Sequence, residues 1–230
     1  MLPRPHLGGA AIISFLLALA FGRLGAADVM FKITDVKNAP VVDAVVALYP
    51  LDAPLPPATP TAPVEIEQRN TEFNPFVTAL RVGSAAQLPN HESRIEHHVY
   101  SSSPAKPFEF PLYKPGKSET VVFDKPGVVV LGCNIHDWML AYVVVLETPW
   151  FATTAADGTA KIAGLAPGRW RAEVWHPRLK DAANAGLAVA EKREFTLAAD
   201  AVAPVQTFNL KLEPDRRIRR SPTLRGAGYK

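Results

Sequence analysis

At 230 residues, with 48% hydrophobic and 20% charged positions, the chain can bury one large core or two small ones and is too apolar for low-complexity disorder. Its formal net charge is +3, and its basic residues are not interleaved with stacking aromatics, which argues against nucleic-acid recognition. Twenty-two prolines, fourteen glycines and many short valine-rich runs point away from helical bundles and toward an all-β chain.

The first 27 residues read as an export signal. Arg4 and His6 form a weakly basic start, Gly8 to Phe21 an apolar run, and Leu24-Gly25-Ala26-Ala27 a small-residue cleavage region. A bilayer span needs about 20 apolar residues. The run is shorter, so cleavage near Ala26 or Ala27 is expected to release a mature chain with no integral membrane span into the periplasm. An uncleaved anchor is the alternative. Without the signal, charge divides by region: residues 28–215 carry 17 basic and 22 acidic residues, while the tail 216–230 holds six basic residues and no acid. Such a tail reads as a solvated end, or as a docking element for an acidic partner or a lipid surface.

Met30 to Thr34 and Val41 to Tyr49 read as two strands of a hairpin turning at Asp35 to Pro40. Residues 51–63 contain five prolines, each lacking an amide hydrogen, and read as an extended linker and domain boundary. Short strands follow at Val64–Gln68, Phe73–Val77, Ala79–Val82, Gln87–Leu88, His97–Ser101 and Glu119–Phe123, with residues 102–118 read as loop. That spacing predicts a β-sandwich. From Thr148 a second β unit begins. Asp157-Gly158 is a hairpin signal. Trp170, Ala172 and Val174 alternate with polar residues, as do Phe208, Leu210 and Leu212.

The chain is organised around Val129 to Val145, a β-branched strand, a tight loop and a second such strand. The loop carries Cys133, His136 and Met139, and Cys133 is the only cysteine. A lone thiol in an oxidising compartment is a liability, so a ligand role explains it better than packing. Thiolate, imidazole and thioether together form a soft donor set that selects copper. Zinc accepts thiolate and imidazole, but thioether is not among its usual ligands. A second imidazole must come from His91, His97, His98 or His176. Neighbouring strand residues face opposite ways. If Val99 faces the core, His97 does too and His98 points out, which favours His97. His91, in a polar loop, and His176, in the other β unit, read as surface or interface residues.

Residues 64–147 resemble a cupredoxin of the plastocyanin and azurin kind, in the methylamine-utilisation or plastocyanin-like branch. The matching pieces are Phe73-Asn74-Pro75, Pro89-Asn90, His97-His98-Val99-Tyr100-Ser101, Phe123 to Gly127, Cys133-Asn134-Ile135-His136, Trp138-Met139 and Ala141-Tyr142. The resemblance implies a Greek-key β-sandwich holding one copper through His97, Cys133, His136 and Met139. Two places depart from the family pattern: His98 stands where Asn usually follows the first ligand, and Met139 follows His136 by only three residues. The flanks, 28–50 and 148–215, resemble two parts of a small carboxypeptidase-regulatory-like, transthyretin-type sandwich into which the cupredoxin is inserted. Tandem domains are the other arrangement.

The expected function is that of an exported one-electron carrier, not an enzyme, exchanging electrons with a redox partner protein. Copper delivery or storage is one alternative, and a metal-free β-sandwich interaction module is another.

Overall fold

The computed structural model describes residues 26–59, 61–180, 182, 191–199 and 203–215. The export-signal reading over 1–25 and the basic-tail reading over 216–230 lie outside the described residues. The chain is all-β, and among the described residues no helix is long and apolar enough to cross a membrane.

Two strands come first, β1 (Ala27–Asp35) and β2 (Val45–Pro50). Ten follow: β3 (Val64–Glu65), β4 (Glu67–Arg69), β5 (Glu72–Asn74), β6 (Val77–Arg81), β7 (Ala85–Pro89), β8 (His97–Ser101), β9 (Phe108–Tyr113), β10 (Ser118–Val122), β11 (Gly127–Cys133) and β12 (Leu140–Leu146). The last five are β13 (Phe151–Thr153), β14 (Thr159–Leu165), β15 (Gly168–Trp175), β16 (Glu191–Leu197) and β17 (Gln206–Leu210).

Early and late strands pair with one another. The order β14-β1-β17 forms one sheet and β13-β2-β15-β16 another. Between them lies a core that includes Phe31, Ile33, Leu48, Trp170, Val174 and Phe208. The middle strands form the sheets β6-β12-β11-β8-β9 and β10-β7-β3, with the small hairpin β4-β5 beside them. Their core includes Ile66, Leu88, Val99, Phe123, Leu131 and Cys133.

A third cluster joins the two sandwiches. On β2, Val46 and Leu48 enter the outer core, while Val45 and Ala47 point the other way, toward Val77, Val144 and Leu146. A strand buried on both faces reads as an unbroken apolar run, which is why 44–48 shows no alternation. Trp175, fully buried, packs against Tyr142 at a ring separation of 5.7 Å and donates its indole N–H to the Ala182 carbonyl at 3.2 Å.

Three sequence expectations are corrected by the pairing. β1 and β2 are not a hairpin: one bridge, Thr34 with Pro40, forms before Asp43 at φ 65° turns the chain into the opposite sheet. Asp157-Gly158 likewise joins strands of different sheets, β13 and β14. Gly158 alone of that pair has positive φ, at 76°, so the two-residue hairpin turn with two positive φ angles cannot form. Gly158 is required by close approach instead, since a Cβ there would lie 2.5 Å from the Ile33 carbonyl oxygen. Finally, residues 102–118 contain strand β9, an edge strand with Pro111, which an edge tolerates because no ladder bond is lost.

Trp175 is the largest side chain buried at the junction of the two sandwiches. Replacing a buried Trp by Ala costs about 3–5 kcal/mol, so Trp175→Ala is expected to lower the urea-unfolding free energy by about that amount. A loss below about 1 kcal/mol would mean that the junction does not contribute to stability as its burial implies.

Candidate metal centre

The centre is built on β8 and β11. Gly132 pairs with Tyr100 and Cys133 with Val99, so β11 ends beside the start of β8. Burial alternates along β8: His97, Val99 and Ser101 face inward, and Tyr100 faces out. Cys133 is the last residue of β11, and the loop 134–139 carries His136 before β12 begins. A turn bond from the Met139 amide to the His136 carbonyl, 2.9 Å, closes that loop.

Three donor atoms converge. One ligating atom each from His97, Cys133 and His136 lies within 4.8 Å of the others. The Nδ1 atoms of His97 and His136 each stand 3.7 Å from Cys133 Sγ. Metal bonds of about 2.0 Å to nitrogen and about 2.3 Å to sulfur, opened to about 120°, separate N and S by about 3.7 Å. The three side chains therefore surround a point that a single small cation fits. Cys133 and His97 are buried, and His136 is half-buried. The His97 and His136 rings lie 4.9 Å apart. Burial, and then the neighbouring His136, hold the imidazolium form of His97 down, which keeps the ring neutral as a metal ligand must be.

The other sequence candidates lie elsewhere or join differently. His98 turns away, with Nε2 2.8 Å from Glu109 Oε1. His91 sits among Glu67 and Arg69, its Nδ1 2.9 Å from Glu67 Oε2. His176, buried in the outer unit, faces the Val42 carbonyl at 3.2 Å. Met139 is buried in the same core cluster as Cys133, at the far end of the ligand loop.

The tip of the β4-β5 hairpin presses on the centre. Asn70 and Thr71 form its two-residue turn with φ of 55° and 58°, the left-handed pair that a tight hairpin demands. Thr71 donates its amide to Glu92 Oε1 at 2.5 Å, and its carbonyl accepts the indole N–H of Trp138 at 3.0 Å. Trp138 lies 5.3 Å from the His136 ring. The hairpin base is tied by Glu67, which accepts from Asn74 at 3.0 Å and Arg69 at 2.9 Å. Nothing in the sequence marks Glu92 or Thr71, because polar loops and turns carry such residues routinely and only the fold brings these two beside His97 and Trp138.

No protein-family model matches the chain, and no curated protein matches it either. Among solved structures, the chain is similar to a copper-containing nitrite reductase from Thermus scotoductus SA-01, at 25% identity over 43% of this chain, with a TM-score of 0.37. It spans only 25% of that chain. It is also similar to a purple cupredoxin from Nitrosopumilus maritimus, at 22% identity over 36% of this chain and 99% of that one, TM-score 0.33. A point variant of amicyanin in its Cu(I) form matches at 16% identity over 36% of this chain and 82% of that one, TM-score 0.34. Likeness at this level carries no functional weight, so the functional reading rests on the donor geometry.

Contacts from His91, then Asn74 and Arg69, pull the Glu67 carboxyl down to about 2 from its ordinary 4.5. A depressed carboxyl stabilises the folded state above 4.5, and that advantage is lost as pH falls through about 2. Glu67→Gln should therefore lower the urea midpoint at neutral pH and leave it nearly unchanged near pH 2. An equal loss at both pH values would show that the charge of Glu67 plays no part.

Proposed function

We propose that residues 64–147 form a cupredoxin domain in which His97 Nδ1, Cys133 Sγ and His136 Nδ1 would hold one copper, with Met139 as a further, weaker ligand, and that the exported protein carries single electrons. The convergence of one thiol sulfur and two imidazole nitrogens within 4.8 Å supports this reading most directly. The donor chemistry fits: a thiolate and two imidazoles, with the thioether-bearing Met139 buried in the same core cluster as Cys133, belong to the soft donor set that selects copper and is found in blue electron-transfer sites.

When bound, copper supplies a one-electron couple. The residues supply a frame. His97 and Cys133 come from paired strands, whose backbone cannot yield without breaking the ladder. Trp138 is fixed by Thr71, so the ligand loop is pinned on the side of His136. Trp138, bonded through its indole N–H to the Thr71 carbonyl and packed on the core, supports the loop beside His136. The half-buried His136 and the exposed Ile135 form the face at which electrons would pass to a partner protein. In this reading the outer sandwich, made of β1, β2 and β13–β17, is a carrier into which the copper domain is inserted.

The test is the visible spectrum of the mature protein after Cu(II) addition. An intense thiolate-to-copper band is expected, lost in Cys133→Ser and His97→Ala and kept in His98→Ala. Copper uptake without such a band would favour delivery or storage over electron transfer, and a band that survives Cys133→Ser would refute the ligand assignment.

A further inference from the structure

The loop before β8 is folded by a buried amide. Asn90, with no exposure, donates to the Ile95 carbonyl at 2.9 Å and the Tyr113 carbonyl at 3.1 Å, and its Oδ1 accepts the Glu92 amide at 3.0 Å. The loop is thereby turned so that the Glu92 side chain, only 10% exposed, faces the ring of His97. Glu92 Oε1 accepts the Thr71 amide at 2.5 Å and stands 3.6 Å from His97 Nε2. That nitrogen is fully buried and makes no hydrogen bond.

A carboxylate only accepts, whereas a neutral imidazole has one donor nitrogen and one acceptor nitrogen. An Nε2 lone pair aimed at Glu92 would put two acceptors face to face inside the protein. A proton on Nε2 instead gives the carboxylate a donor and leaves Nδ1 with its lone pair toward Cys133 Sγ, 3.7 Å away. Metal-binding histidines commonly have their other ring N–H held in this way, and the acceptor sets both tautomer and ring orientation.

We propose that Glu92, held by the Thr71 amide at the hairpin tip, is the positioning residue of this centre: its carboxylate selects the Nε2–H tautomer of His97 and so presents Nδ1 to the metal. The Thr71 carbonyl fixes Trp138 beside His136, so one turn residue supports both imidazole arms. The metal-binding half of this inference rests on the copper reading above; the tautomer half does not.

The two halves are separated by measuring the metal-free protein first. Long-range proton–nitrogen correlation spectra of uniformly nitrogen-15-labelled protein at neutral pH should show His97 as the Nε2–H tautomer in the wild type and as a mixture in Glu92→Ala. Glu92→Gln keeps a carbonyl acceptor for both Thr71 and His97 and loses only the charge, so it should keep the tautomer. With copper added, Glu92→Ala should bind Cu(II) 10–100-fold more weakly, roughly the range for loss of such a partner. In Glu92→Gln the midpoint potential should rise by about 59 mV for each tenfold by which Cu(II) affinity falls beyond that of Cu(I). A role confined to stability would move the unfolding midpoint but neither the tautomer nor the potential. An Nδ1–H tautomer in the wild type, an unchanged tautomer in Glu92→Ala, or an unchanged Cu(II) affinity in Glu92→Ala overturns the proposal. If the wild type takes up no copper while its tautomer depends on Glu92, the copper reading falls and the positioning role stands.

Discussion

The register between β8 and β11 is the constraint on which the centre depends. Val99 opposes Cys133 and Tyr100 opposes Gly132, so the inward face of β8 and the thiol of Cys133 share one side of the sheet. His97, two residues before Val99, is then on the same side by the two-residue period of the strand. A slip of one residue would bring His98 inward and turn His97 to solvent. The slip is resisted because Val99 is completely buried and Tyr100 exposed, so sliding the strand would reverse the burial of every side chain on it.

Around this register the rest of the molecule acts as support. The loop after Cys133 is short and closed by its own turn bond at Met139, which limits where His136 can stand. The β4-β5 hairpin braces it from one side through Thr71 and Trp138. From the other side, Val128, Val144 and Leu146 at the far ends of β11 and β12 belong to the cluster that joins the outer sandwich. The strands that carry the ligand loop are thus clamped at both ends. In the proposed one-electron role that rigidity would matter, because donor atoms held in one arrangement need little rearrangement between two charges of a bound metal.

Much of this was legible in the amino-acid sequence, and the remainder shares a physical character. Valine-rich runs and frequent turn residues announced an all-β chain. The alternation around Val99 was sufficient to favour His97 over His98, because burial of one strand residue dictates the facing of its neighbours. What escaped was set by long-range pairing. Strands β1 and β2 look like a hairpin because sequence shows turns but not which sheet each strand joins, and Asp43 carries the chain across. Strand β9 was hidden because Pro111 and the flanking Ser and Lys residues read as loop, although an edge position accepts them. Glu92 and Thr71 gave no signal, since a carboxylate becomes a partner of His97 only when the Asn90-ordered loop and the β4-β5 turn meet at one point.

The central claim, that Cys133 Sγ and the Nδ1 atoms of His97 and His136 form one metal-binding set, is tested most directly by copper K-edge X-ray absorption on the Cu(II)-loaded protein. One sulfur scatterer at about 2.3 Å or less and two imidazole nitrogens at about 2.0 Å are expected, by analogy with the bond lengths of other thiolate and imidazole sites. A first shell of nitrogen and oxygen alone, with no sulfur, would contradict the account.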